Sequence, residues 1–127
     1  MPYRLAWAAV ALSGFVMVLA GAFGAHGLEG RVPEQLLDAF ETGVRYQAWH
    51  TLAMLAVLIW RQAMPFKGQS LALWLWGGGI VLFSGSLYLL TLTGIRGLGM
   101  ITPFGGLLLM AGWLALAVSA WRARADA

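Results

Sequence analysis

Four stretches of the chain are almost free of polar side chains, at about residues 5–24, 44–61, 71–93 and 101–121. At a rise of about 1.5 Å per residue, roughly twenty residues cross a hydrocarbon core about 30 Å thick. The pattern therefore predicts an all-α fold class, an integral membrane four-helix bundle that occupies residues 1–127 as one transmembrane domain. The second stretch opens on Arg45, Tyr46 and Gln47, which makes its start the least apolar of the four. Ahead of it, in the long first loop, Leu36, Leu37, Phe40 and Val44 fall on one helical face and Glu34, Asp38 and Glu41 on the other. Pro33 suits a first helical position and Glu34 a first turn. This segment predicts a short amphipathic interfacial helix on the outer membrane surface, feeding into the second span, with a plain connector as the alternative.

Composition narrows the class further. The chain is 61% hydrophobic and 10% charged, with a mean hydropathy of +0.78, so no soluble domain of useful size fits beside the spans. Four spans put both termini and the second loop on one side, with Arg4, Arg61, Lys67, Arg122 and Arg124; the other side carries Arg31, Arg45 and Arg96. The positive-inside rule then predicts cytoplasmic termini. A net charge of +3 would suit nucleic acid, but the basic residues flank spans instead of forming a patch, so the expected partner is the lipid bilayer and not nucleic acid. The absence of cysteine excludes disulfides and thiolate metal sites.

The segment "GAFGAHGLEG", Gly21 to Gly30, admits several readings. It lacks the Gly-Lys-Ser/Thr ending of a phosphate loop and has no strand before it for a dinucleotide fingerprint. Arg4 followed by an apolar stretch and small residues resembles a signal peptide, but the stretch exceeds the usual length and later spans would anchor the chain regardless. Gly21, Gly24 and Gly27 are read as close packing and then termination of the first helix at the outer surface, holding His26 over its end.

Depth counting selects the candidate site. With Trp60 and Arg61 at the cytoplasmic boundary, His50 lies roughly 15 Å into the membrane and Arg45 roughly 22 Å. An ionisable side chain at such depth needs a partner or water, and marks a functional site by default. Glu41, four residues before Arg45, is the expected ion-pair partner if the helix runs unbroken through Gly43. Tyr46 and Gln47 can share a face with His50, and Ser84, Ser86, Tyr88, Thr91 and Thr93 of the third span fall in the same outer half, with Thr102 at the surface. Two readings stay open: a satisfied bundle in which these groups hydrogen-bond across helices, or a water-accessible cavity lined by Arg45, His50, Tyr88 and His26. The two histidines differ in depth, so neither a haem nor a metal is expected, and no cofactor is implied. No HExxH or GxSxG motif is present and no catalytic residue is named.

Packing signals are also present. Gly77, Val81 and Gly85 recur at four-residue steps, a small-residue ridge that suits either a tight bundle or a dimer face. Short matches, Ser13-Gly14 with Ser84-Gly85 and "AVLIWR" with "AVSAWR", hint at a duplicated helix pair but are short enough to arise by convergence.

The ordered motifs "GAFGAHGL", "ETGVRYQAWHTLA", "LFSGSLYLLTLTG" and "ITPFGG" resemble those of the family of unknown function number 423, the YgdD-like and YwdK-like small inner-membrane proteins related to animal transmembrane protein 256. The resemblance implies a four-span protein of a bacterial inner membrane and implies no reaction. Its pattern falls on Gly24 to Gly27, on Glu41, Thr42, Arg45, Tyr46, Gln47 and His50, on Phe83 to Ser86 and Tyr88, and on Thr102 to Gly106. These largely coincide with the polar set found by depth. The sequence thus predicts His26, Glu41, Arg45, Tyr46, Gln47, His50, Ser84, Ser86, Tyr88 and Thr102 as a ligand-binding set for a small polar or amphipathic molecule that is bound or helped across. The competing expectation is a structural or assembly factor, with a homo-oligomer or a larger membrane complex as partner. An enzyme ranks third.

Overall fold

The structure, a computed structural model, describes residues 3–125. Four long helices make up the fold: α1 (Tyr3–Phe23), α2 (Glu34–Ala63), α3 (Gln69–Thr93) and α4 (Thr102–Ala125). A π-helical turn, Gly24–Leu28, extends α1, and a 3₁₀ turn, Arg96–Met100, precedes α4. No strand occurs among the described residues. Three segments are long and apolar enough to cross a membrane, Tyr3–Leu28, Gln69–Thr93 and Arg96–Ala123. Helix α2 has 30 residues, about 45 Å of axis, and its first half carries the acidic and basic residues that lower its average apolarity.

The amphipathic segment of the first loop and the second span are one continuous helix. No proline interrupts residues 34–63, and Gly43 fails to break the helix because it is buried against α3. A Cβ there would come within 2.9 Å of the Tyr88 ring. Residues 34–43 therefore form the first turns of α2. Pro33 lies just outside it, and its carbonyl accepts from the N–H groups of Leu36 and Leu37. At the other end of the bundle α2 stops at Met64, whose N–H closes on the Trp60 carbonyl at 2.8 Å, immediately before Pro65. Helix α3 ends on Gly94 at φ +73°, a left-handed cap that glycine adopts without a Cβ penalty.

Each helix packs chiefly on its neighbours in the chain, and the α3–α4 pair is the most extensive contact. Close approach explains why. A Cβ on Gly105 would run into the backbone of Leu82 and Phe83, and one on Gly112 into the indole of Trp76. With no hydrophobic drive between helices in lipid, such backbone approach supplies the dispersion contact that holds them. Trp76 is fully buried, and its Nε1–H donates to the Leu109 carbonyl at 3.1 Å. Around it Ala6, Val10, Met54, Val57, Leu58, Leu73, Ile80 and Leu109 form the core.

The periphery is apolar. Leu12, Phe15, Val18 and Leu19 of α1, Trp74 and Val81 of α3, and Leu107 and Leu114 of α4 are all exposed. In water such a surface would be an aggregation hazard; around a bundle whose polar groups turn inward it is the lipid-facing side.

Candidate functional site

Polar side chains from all four helices meet in a seam across the half of the bundle nearer the first loop. Gln47 is its hub. Its amide Nε2 donates to the Ser13 carbonyl at 3.0 Å and to Ser13 Oγ at 3.2 Å. Its Oε1 accepts from the Tyr88 hydroxyl at 2.6 Å. The Ser13 hydroxyl also shares a hydrogen bond with Thr51 Oγ1, the two oxygens 2.7 Å apart. One buried side chain on α2 thereby ties α1 to α3. Aromatic rings back this link, with Phe40 set edge-on to Phe23 and 4.8 Å from Tyr88.

The α3 hydroxyls make the next contacts. Ser84 Oγ donates to the Gly43 carbonyl at 2.6 Å, and Thr91 Oγ1 lies 2.8 Å from the Leu36 carbonyl and 2.9 Å from that of Leu87. Toward α4, Ser86 Oγ and Thr102 Oγ1 stand 2.6 Å apart, and Ser86 also donates to the Phe83 carbonyl. A seryl or threonyl side chain that bonds to a carbonyl of another helix fixes the depth of one helix against the other, since a one-residue slip removes the acceptor.

His50 closes the seam between α2 and α4. Its Nδ1 lies 2.8 Å from the Tyr46 carbonyl, and its Nε2 lies 2.9 Å from Trp113 Nε1. A carbonyl only accepts and an indole N–H only donates. The ring is therefore neutral with its proton on Nδ1, and both nitrogens are in use. Trp76 and Trp113 flank it with ring centroids 6.0 Å and 5.8 Å away. Neither nitrogen is left to ligate a metal or a haem iron.

The residues predicted to act together divide into two groups. Gln47, His50, Ser84, Ser86, Tyr88 and Thr102 belong to the seam, and Tyr46 supports it by its carbonyl and by packing its ring 4.7 Å from Phe83. Arg45 and Glu41 do not. Both are exposed, and Arg45 Nη2 donates to Thr42 Oγ1 at 3.1 Å in place of the expected ion pair with Glu41. The Thr42 hydroxyl is held in turn by the Asp38 carbonyl. The hydroxyl one turn back is a nearer partner for the guanidinium than the carboxylate, and on the outside of α2 nothing forces the charges together. Glu41 and Arg45 line a shallow groove of 200 Å³ with Gly21, Gly24 and Phe40. His26 is exposed on the π turn and makes no hydrogen bond to the seam among the described residues. The sequence reading left out Ser13, Thr51 and Trp113 as site residues. Thr51 stands four residues after Gln47, the one signal that could have placed it on the same face; Trp113 gives none, because tryptophan in a span reads as an interfacial anchor.

The model of a protein family described as "Protein of unknown function (DUF423)" matches residues 20–106, most of the chain and nearly the whole seam. The chain belongs to the DUF423 family. The UPF0382 membrane protein YwdK of Bacillus subtilis is 43% identical over 87% of this chain and 90% of its own length. The UPF0382 inner membrane protein YgdD of Escherichia coli is 43% identical over 88% of this chain and 86% of its own. A UPF0382 membrane protein of Haemophilus influenzae is 42% identical over 91% and 92%. No solved structure matches the chain. Within DUF423 this chain is a helical membrane protein whose relatives' names state no reaction or ligand.

Proposed function

We propose that this DUF423 protein is an assembly or packing subunit of a bacterial inner membrane, which takes a transmembrane helix of a larger membrane complex into an open groove between α1 and α3. The observation that carries the reading is that groove. Helix α2 forms its floor through Met54, Leu58 and Gln47, and its two apolar halves of 260 Å³ and 330 Å³ meet at Gly77. A Cβ on Gly77 or Gly85 would meet nothing within 4 Å, and Val81 between them is 68% exposed. A small-residue ridge with no occupant is the surface on which a further helix packs closely in lipid. The seam supports the same reading, because the side chains of Gln47, His50, Ser84, Ser86, Tyr88 and Thr102 are each already hydrogen-bonded to another side chain or a carbonyl among the described residues.

Gly77→Leu projects into the groove from a position where a Cβ meets nothing within 4 Å. The expected result is that this variant, extracted from its native membrane, runs as the single chain while the wild type and Arg45→Ala run as a larger assembly. A second reading, binding of a small polar or amphipathic molecule and help in its transport, is favoured by the groove that Glu41 and Arg45 share. If Arg45→Ala abolishes cellular activity while Gly77→Leu preserves both activity and assembly size, that second reading replaces the first.

A further inference from the structure

A separate groove of 770 Å³ lies at the opposite end of the bundle from the seam, between the first turn of α3 and the last turns of α4. Its walls are the exposed side chains of Leu71, Leu114 and Val118. Its rim carries Lys67 and Arg122. Gly68 forms part of the floor at φ +101°, where a Cβ would collide with Ser119, so the start of α3 is pressed onto α4. Gly68 gives α3 no side-chain cap, which leaves the first-turn N–H groups of the helix and its positive dipole end at the same rim.

The charge at this end is one-sided. Between Glu41 and Asp126 the sequence holds no Asp or Glu, while Arg45, Arg61, Lys67, Arg96, Arg122 and Arg124 fall in that interval. Of these Arg45, in the first half of α2, and Arg96, in the 3₁₀ turn, belong to the opposite end. The apolar walls run from the cationic rim along the lipid-facing side of α3 and α4. A two-part surface of this kind, a cationic rim continued by an apolar trough that opens sideways into the bilayer, complements a two-part ligand. We infer that the groove binds an anionic glycerophospholipid, with its phosphate between Lys67 and Arg122 and an acyl chain along Leu71, Leu114 and Val118. A free anion would use the rim and leave the trough bare. The groove volume falls within the usual range for small-molecule sites, and basic pockets between transmembrane helices are established lipid-headgroup sites.

Native mass spectrometry of the full chain in detergent tests this with phosphatidylglycerol and phosphatidylcholine of identical acyl chains, and with glycerol 3-phosphate as a probe of the headgroup alone. Phosphatidylglycerol is expected to bind about thirtyfold more tightly than phosphatidylcholine, from two cations acting near the surface. Lys67→Ala with Arg122→Ala should reduce that preference to within about twofold, and Val118→Trp should weaken retention of both lipids. Equal binding of the two lipids by the wild type overturns the inference. So does a preference that survives the double substitution, retention unchanged by Val118→Trp, or displacement of phosphatidylglycerol by an equal concentration of glycerol 3-phosphate, which would mark a soluble-anion site. Should the double variant fail to fold, the wild-type comparison and the exposed loop change Lys67→Gln decide the question.

Discussion

Gln47 bonds to two neighbouring helices at once, which few side chains other than an amide can do, since it alone offers two donors and an acceptor on one planar group. Interhelical hydrogen bonds in membranes average only about 0.6 kcal/mol, with a maximum near 1.7, because the unfolded chain in lipid also finds partners. Gln47 takes part in several, and its loss leaves the Tyr88 hydroxyl and the Ser13 carbonyl buried without it. Gln47→Ala is expected to destabilise the bundle by about 2 kcal/mol in reversible unfolding in bicelles. Arg45→Ala, whose side chain is exposed and bonded only to Thr42 among the described residues, should cost less than about 0.5 kcal/mol. Equal losses would mean that Arg45 takes part in the core after all. At this scale the sequence located the polar residues and left their directions undecided. Depth along a helix follows from counting 1.5 Å per residue, but whether Gln47 turns to α1 or His50 to α4 depends on neighbours that one sequence does not position.

The elements were legible for a related reason. Apolar runs of spanning length are dictated by the bilayer, so four helices could be read from length and hydropathy alone. The start of α2 was legible only in part, because the segment from Pro33 to Val44 read as a short surface helix feeding into the second span or as a plain connector. What decided it is the contact of Gly43 with Tyr88, a tertiary feature. Glycines show the same division. Gly77 and Gly105 look alike in sequence, yet one faces open space and the other the backbone of α3. Gly105→Ala is expected to destabilise by about 1–3 kcal/mol through overpacking, whereas Gly77→Ala should be neutral or stabilising by about 0.5–1 kcal/mol from helix propensity. Thermal unfolding of the two variants side by side checks this, and an equal loss in both would show that the groove at Gly77 is closed.

At the scale of the whole molecule, the seam and the two grooves divide the labour. The seam fixes the relative depth of the four helices, the α1–α3 groove offers a lateral surface, and the basic end faces the headgroup layer. The bias of Lys and Arg predicts a cytoplasmic side for that basic end. The chain has no cysteine, so single replacements report topology cleanly: a membrane-impermeant maleimide should label Arg31→Cys in intact cells and Lys67→Cys only after lysis, and the reverse pattern would invert the orientation. The central claim is that the Gly77–Gly85 ridge receives a helix from another protein, and a photo-reactive amino acid at Val81 in living cells tests it most directly. The account predicts one discrete protein adduct that Gly77→Leu abolishes and Arg45→Ala leaves intact; adducts to lipid alone, or an adduct unchanged by Gly77→Leu, would contradict it.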